Sequence, residues 1–97
     1  MLKSAYSRAV KKNITFKLDR DWLDKKLEIG MCCKTNISFI YEFNSPYTPS
    51  IDRIDSSKGY TKENCQIVCK MYNFAKNMWT DDDVLNMAKK LLEKLQC

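Results

Sequence analysis

The stretch Ser45-Pro46-Tyr47-Thr48-Pro49-Ser50-Ile51-Asp52-Arg53-Ile54-Asp55-Ser56-Ser57-Lys58-Gly59-Tyr60-Thr61-Lys62-Glu63-Asn64-Cys65-Gln66-Ile67-Val68-Cys69-Lys70-Met71-Tyr72-Asn73-Phe74-Ala75-Lys76-Asn77-Met78-Trp79 decides how the rest of the chain is read. Ser50 to Asp55 alternates polar and apolar side chains, the period of a half-buried strand, and Lys58-Gly59 supplies a turn after it. Thr61, Glu63 and Asn64 offer caps before Ile67, Val68, Met71, Tyr72 and Ala75, which fall at helical spacing. The expected unit is strand, turn, short strand or extended piece, then helix. In that arrangement Asp52 at the strand end and Asn73 in the helix can face one point. A carboxylate and an amide oxygen suffice for a hard cation such as Mg²⁺, whose remaining positions go to water and phosphate.

Outward from this stretch, residues 37–43 place Ile37, Phe39, Tyr41 and Phe43 at period two, which predicts a strand pairing antiparallel with Ser50–Asp55. The connection from Asn44 to Pro49 holds both prolines and reads as a rigid turn that can rest beside the site. Toward the amino terminus, Leu2, Ala5, Tyr6, Ala9 and Val10 form a helical stripe closed by Asn13, and Ile14–Leu18 is extended. Asp19 caps a second helix through Glu28, with Trp22, Leu23, Lys26 and Leu27 setting its buried side and Gly30 closing it. Toward the carboxyl end, Thr80 starts a last helix. Asp81, Asp82 and Asp83 in its first turn complement the helix dipole. Val84, Leu85, Ala88, Leu91, Leu92 and Leu95 form a stripe expected to pack on the core, with a homodimer as the other use of it.

The central residues resemble the ββα-metal core of the HNH, or His-Me finger, endonucleases, and in particular small phage-type HNH proteins. Ser50-Ile51-Asp52-Arg53-Ile54-Asp55, Lys58-Gly59-Tyr60, Asn64 and Asn73-Phe74-Ala75-Lys76 carry the resemblance. Lys11-Lys12-Asn13-Ile14-Thr15-Phe16 and Cys33-Lys34-Thr35 extend it more weakly. The resemblance implies an α+β fold, a ββα-metal core over about residues 37–78 with two helices before it and one after, within one domain of residues 1–97. It implies hydrolysis of DNA phosphodiester bonds with Mg²⁺ or Mn²⁺ held by Asp52 and Asn73, phosphate contacts from Arg53 or Lys76, and Asn64 fixing the loop that joins strand and helix.

The chain has no histidine, and Arg53 stands where the family's general base is expected. Arginine keeps its proton near neutrality and cannot serve as that base. Asp55, Tyr60 and water ionised by the cation are the candidates for the role, while Arg53 can clamp a phosphate oxygen. A nucleic-acid-binding module that has lost hydrolysis, or an accessory protein that binds a protein partner, are the alternatives to an enzyme.

At 97 residues the chain is one domain. Its five cysteines lack Cys-x-x-Cys spacing, so zinc is not expected; reduced thiols are, with Cys33 and Cys69 in the core. No apolar run approaches a membrane span and the start lacks a signal-peptide core, so a soluble cytoplasmic protein is expected, in the host-cell cytoplasm if phage-encoded. The net charge is +5, and residues 1–13 hold Lys3, Arg8, Lys11 and Lys12 with no acid. Such a surface suits a polyanion, and double-stranded DNA is the expected partner, met by Arg8, Lys11, Lys12, Lys58, Lys70 and Lys76.

Overall fold

The computed structural model describes residues 1–96. It is an α+β chain with four α-helices and a two-stranded antiparallel sheet, in the order α1 (Leu2–Lys12), α2 (Arg20–Glu28), β1 (Pro49–Arg53), β2 (Cys65–Cys69), α3 (Lys70–Lys76) and α4 (Asp81–Gln96), with a 3₁₀ turn at Lys62–Asn64 before β2. Ala5 and Ala9 of α1, Trp22 and Leu23 of α2, and Ile67 and Val68 of β2 contribute to the core. Among the described residues no helix is long and apolar enough to cross a membrane.

Helix boundaries follow local chemistry. Asn13 ends α1 in the left-handed conformation (φ 54°), which asparagine tolerates better than most residues. Asp19 caps α2 by accepting from the Trp22 N–H at 2.8 Å, and the bond with Trp22, together with Lys62, holds its carboxyl below the ordinary value. Thr80 and Asp83 cap α4 reciprocally, each side chain accepting from the other's backbone N–H at 3.0 Å.

The strand partner differs from the expectation. β1 pairs with β2, in a register that sets Ile51 opposite Ile67 and Asp52 opposite Gln66. Residues 37–43 instead fold back on residues 30–32. Phe39 donates to the Gly30 carbonyl, Cys32 donates to the Ile37 carbonyl, and left-handed Asn36 makes the intervening turn. Only Phe39 of that segment is buried, so period-two apolar spacing here marks a local hairpin. Ile67 and Val68 correspondingly lie in a strand rather than a helix. The helix starts at Lys70, because cross-strand pairing of two β-branched residues overrides a short stretch of helical spacing.

Two further corrections concern burial. Cys32, not Cys33, is the buried member of the adjacent pair, while Cys65 and Cys69 are buried as free thiols; burial pushes the Cys65 thiol up to about 11. And α4 has no buried residue: Leu85, Leu91, Leu92 and Leu95 are all exposed, so its stripe does not pack on the core.

Gly59 is required by a close approach rather than by backbone angle. A Cβ there would lie 2.7 Å from the Thr15 carbonyl oxygen. The contact belongs to a bridge in which Tyr60 donates to the Thr15 carbonyl and Lys17 donates to the Tyr60 carbonyl. It fastens the segment after α1 to the loop between the strands.

Candidate phosphate and cation site

α3 crosses β1 so that two residue periods match. Ser50 and Asp52 share one face of the strand, and Asn73 and Lys76, one helical turn apart, share one face of the helix. Asn73 donates through Nδ2 to Ser50 Oγ at 2.7 Å and to the Ile51 carbonyl at 3.1 Å. Lys76 donates to Asp52 Oδ2 at 2.7 Å and to the carbonyls of Arg53 and Ile54 at 2.9 and 3.2 Å. These bonds leave particular atoms over. Both Asn73 amide protons are engaged, and Asp52 Oδ2 also accepts from Gln66, but neither Asn73 Oδ1 nor Asp52 Oδ1 accepts a hydrogen bond among the described residues.

Asp52 and Asn73 line one cleft of about 600 Å³, whose other walls include Arg8 and Lys12 of α1, Arg53 and Tyr60. Arg8 donates from Nε to the Tyr60 hydroxyl at 3.3 Å, and the Arg53 guanidinium lies 5.0 Å from the Tyr60 ring centre. Among the described residues Arg8, Lys12 and Arg53 have no carboxylate partner. Three cations without acids therefore surround a cleft whose one acid is already paired with Lys76. This field favours an anion. Arg53 spends Nη1 on the carbonyls of Ser56 and Lys58, both at 3.0 Å, leaving further N–H donors for a phosphate oxygen.

The structure thus brings Asp52, Asn73, Arg53, Arg8 and Lys12 together. Other residues singled out from sequence are placed elsewhere. Lys76 is 0 % exposed, so it neutralises Asp52 from inside and is not a surface contact for DNA. Asp55 is outside the cleft, its Oδ1 accepting from the Ser57 hydroxyl at 2.6 Å and the Ser57 N–H at 2.9 Å, and these bonds hold its carboxyl below the ordinary value. Asn64 braces the connection between β1 and β2, not one between strand and helix: its amide donates to the carbonyls of Asp55 and Gly59 and accepts from the Asp55 N–H. Lys11 and Lys58 are exposed outside the cleft lining, and Lys70 Nζ lies 5.5 Å from the ring centres of both Phe43 and Phe74.

One participant escaped sequence reasoning. Asp81, read as dipole compensation, accepts from the Tyr72 hydroxyl, lies 3.7 Å from Lys76 Nζ and pairs with Lys34 at 3.5 Å. Burial works against its charge, but the Tyr72 bond and the lysines outweigh it and hold its carboxyl below the ordinary value. Burial and this same bond push the Tyr72 phenol up. The three consecutive aspartates gave no signal that the first of them turns inward.

Among the described residues no three His, Cys, Asp or Glu side chains cluster for a metal. The Asp52–Asn73 pair is a smaller set, and its donors fit a hard divalent cation that keeps most of its water. With Lys76 cancelling the Asp52 charge, the pair fits a cation arriving with phosphate better than one held alone. Comparison of the chain with protein-family models, with curated proteins and with solved structures finds no match in any of the three, so the HNH resemblance stands on its motif residues alone.

Proposed function

We propose that the cleft is a phosphodiester site on DNA and that the chain is an HNH-type endonuclease dependent on Mg²⁺ or Mn²⁺. The observation that carries this reading is the junction, in one cleft, of two oxygens without donors on Asp52 and Asn73 with three cations without acids. The cation, when bound, supplies Lewis-acid charge against the oxygens of the scissile phosphate. Arg53 holds a non-bridging phosphate oxygen and stabilises the charge that develops there. Arg8 and Lys12 hold the flanking backbone, Asn64 keeps the Asp55–Gly59 loop in place, and Tyr60, whose hydroxyl accepts from Arg8, is the proton-bearing group that lines the same cleft.

A second reading is favoured by one observation: Asp55 is turned away and Arg53 cannot take a proton. On that reading the domain is a nucleic-acid-binding module that no longer hydrolyses. Supercoiled plasmid incubated with Mg²⁺ or Mn²⁺, with and without chelator, separates the two. Cation-dependent nicking lost in Asn73→Ala supports the enzyme. Binding without nicking, converted to nicking by Arg53→His, supports the disarmed module. In either case log affinity against log salt has a slope of about −0.9 per phosphate neutralised on a duplex and about −0.7 on a single strand.

For the exposed stripe of α4 we propose a second copy of the chain as the partner. The exposed Asp82 and Asp83 at one end and Lys89, Lys90 and Lys94 toward the other make two antiparallel copies complementary in charge.

A further inference from the structure

Beside the cleft lies an aromatic surface that the hydrolytic reading does not use. Phe43 is 87 % and Phe74 71 % exposed, and phenylalanine has no polar tip to justify such exposure. Both rings meet the same cation, Lys70 Nζ lying 5.5 Å from each ring centre. Phe43 stands in a braced loop, since the Thr48 hydroxyl shares its one proton between the carbonyls of Ile40 and Glu42. That loop is docked on α3, where Lys70 and Met71 donate to the carbonyls of Thr48 and Pro46 at 2.8 and 2.9 Å. Phe74 also lines the cleft, so the platform and the group of Arg8, Lys12 and Arg53 form one continuous surface.

A cationic groove beside exposed ring faces is the chemistry of unpaired nucleic acid. Phosphates follow the charges while bases stack on the rings, and every base has a face to offer. A duplex hides those faces. We infer that Phe43, Lys70 and Phe74 form a stacking platform and that the preferred ligand is a single-stranded or locally unpaired segment of nucleic acid whose backbone runs through the cleft. This rests on the phosphodiester reading of the cleft and adds the substrate class.

The test is fluorescence anisotropy in chelator, with wild type, Phe74→Ala, Phe43→Ala, Phe74→Trp and Arg8→Ala. The probes are a short oligothymidine, an abasic oligomer with the same number of phosphates, and a duplex of the same length. Oligothymidine should bind about tenfold more tightly than either other probe. Phe74→Ala and Phe43→Ala should each weaken oligothymidine by about 5- to 150-fold with no effect on the abasic oligomer, and Phe74→Trp should restore the loss. Both alanine positions are exposed, and a thermal melt superimposable on wild type confirms that they fold. The platform is overturned if duplex binds as tightly as oligothymidine, or if Phe74→Ala weakens the abasic and thymidine oligomers equally. In those cases a loss on every probe in Arg8→Ala leaves the cleft reading intact. Failure of all three probes to bind at low salt overturns both.

Discussion

Lys76 Nζ sits 2.7 Å from Asp52 Oδ2 with the two side chains 0 % and 3 % exposed. The pair is the electrostatic floor of the cleft: it permits a carboxylate to be buried beside the sheet while cancelling its charge. Removing one partner leaves the other charge buried and uncompensated. Lys76→Met should therefore lower unfolding free energy by about 3–5 kcal/mol, and adding Asp52→Leu should recover part of it. Urea denaturation measures both. A Lys76→Met protein of unchanged stability with weakened DNA binding would instead return Lys76 to the nucleic-acid surface.

Cation binding should depend on the substrate. Because Lys76 offsets Asp52, titration of the free protein with Mn²⁺ should give weak heats, and a non-cleavable oligonucleotide should strengthen them. Asn73→Asp adds a second carboxylate of the same size while giving up the two hydrogen bonds that Asn73 donates to Ser50 and Ile51, and it should tighten Mn²⁺ binding to the free protein. Calorimetry in which Asn73→Asp leaves the affinity untouched would place the cation elsewhere.

Asp55 should not control the pH profile of cleavage. Its hydrogen bonds from the Ser57 hydroxyl and N–H lower its pKa, so it is ionised throughout the range above about pH 4. Between pH 5 and 8 the rate should show no limb attributable to it, and Asp55→Asn should keep most of the turnover. Asn64→Ala removes three hydrogen bonds that brace the same loop and should cost roughly 1–3 kcal/mol in a thermal melt.

Acid should act through Asp81. A carboxyl whose folded pKa is lowered contributes stability that is present above its unfolded pKa and is lost as pH falls through the folded value. Stability followed by circular dichroism should accordingly decline below about pH 4, and Asp81→Asn should flatten that decline while lowering stability at neutral pH. Equal pH slopes in the two proteins would remove Asp81 from the network.

Sedimentation tests the covering of α4. Leu92→Glu and Leu95→Glu place charge on an already exposed stripe, so the folded protomer should be unaffected while self-association falls. A wild-type protein that stays monomeric at high concentration leaves the stripe without the second copy.

Some of this was legible in the sequence. Caps at Asn13, Asp19 and Thr80 fixed the helix ends because the left-handed turn that asparagine tolerates and the side-chain hydrogen bonds of aspartate and threonine are local and need no distant partner. A strand packed on a helix was expected to bring Asp52 and Asn73 within reach of one point, and both side chains line one cleft. What the chain did not disclose depends on contacts far apart in sequence. Ile37–Phe43 and Ile67–Val68 each carry a period compatible with more than one element; the first closes on residues 30–32, and the second is fixed by its pairing with Ser50 and Ile51. The burial of Lys76 and the inward turn of Asp81 follow from where α3 and α4 land, and no local pattern separates them from solvated charges.

The bridge between Thr15, Lys17 and Tyr60, with Gly59 pressed against Thr15, has a consequence for portability. The strand, strand and helix of residues 49–76 form a continuous segment that could be cut out as a cassette, yet two of the cleft's cations, Arg8 and Lys12, come from a helix more than thirty residues upstream. Transplanted alone, the cassette would carry the oxygens of Asp52 and Asn73 into a host without the wall that attracts phosphate. The bridge is what makes a wall from a distant helix, and any shortening or grafting of this domain has to carry residues 1–18 with it.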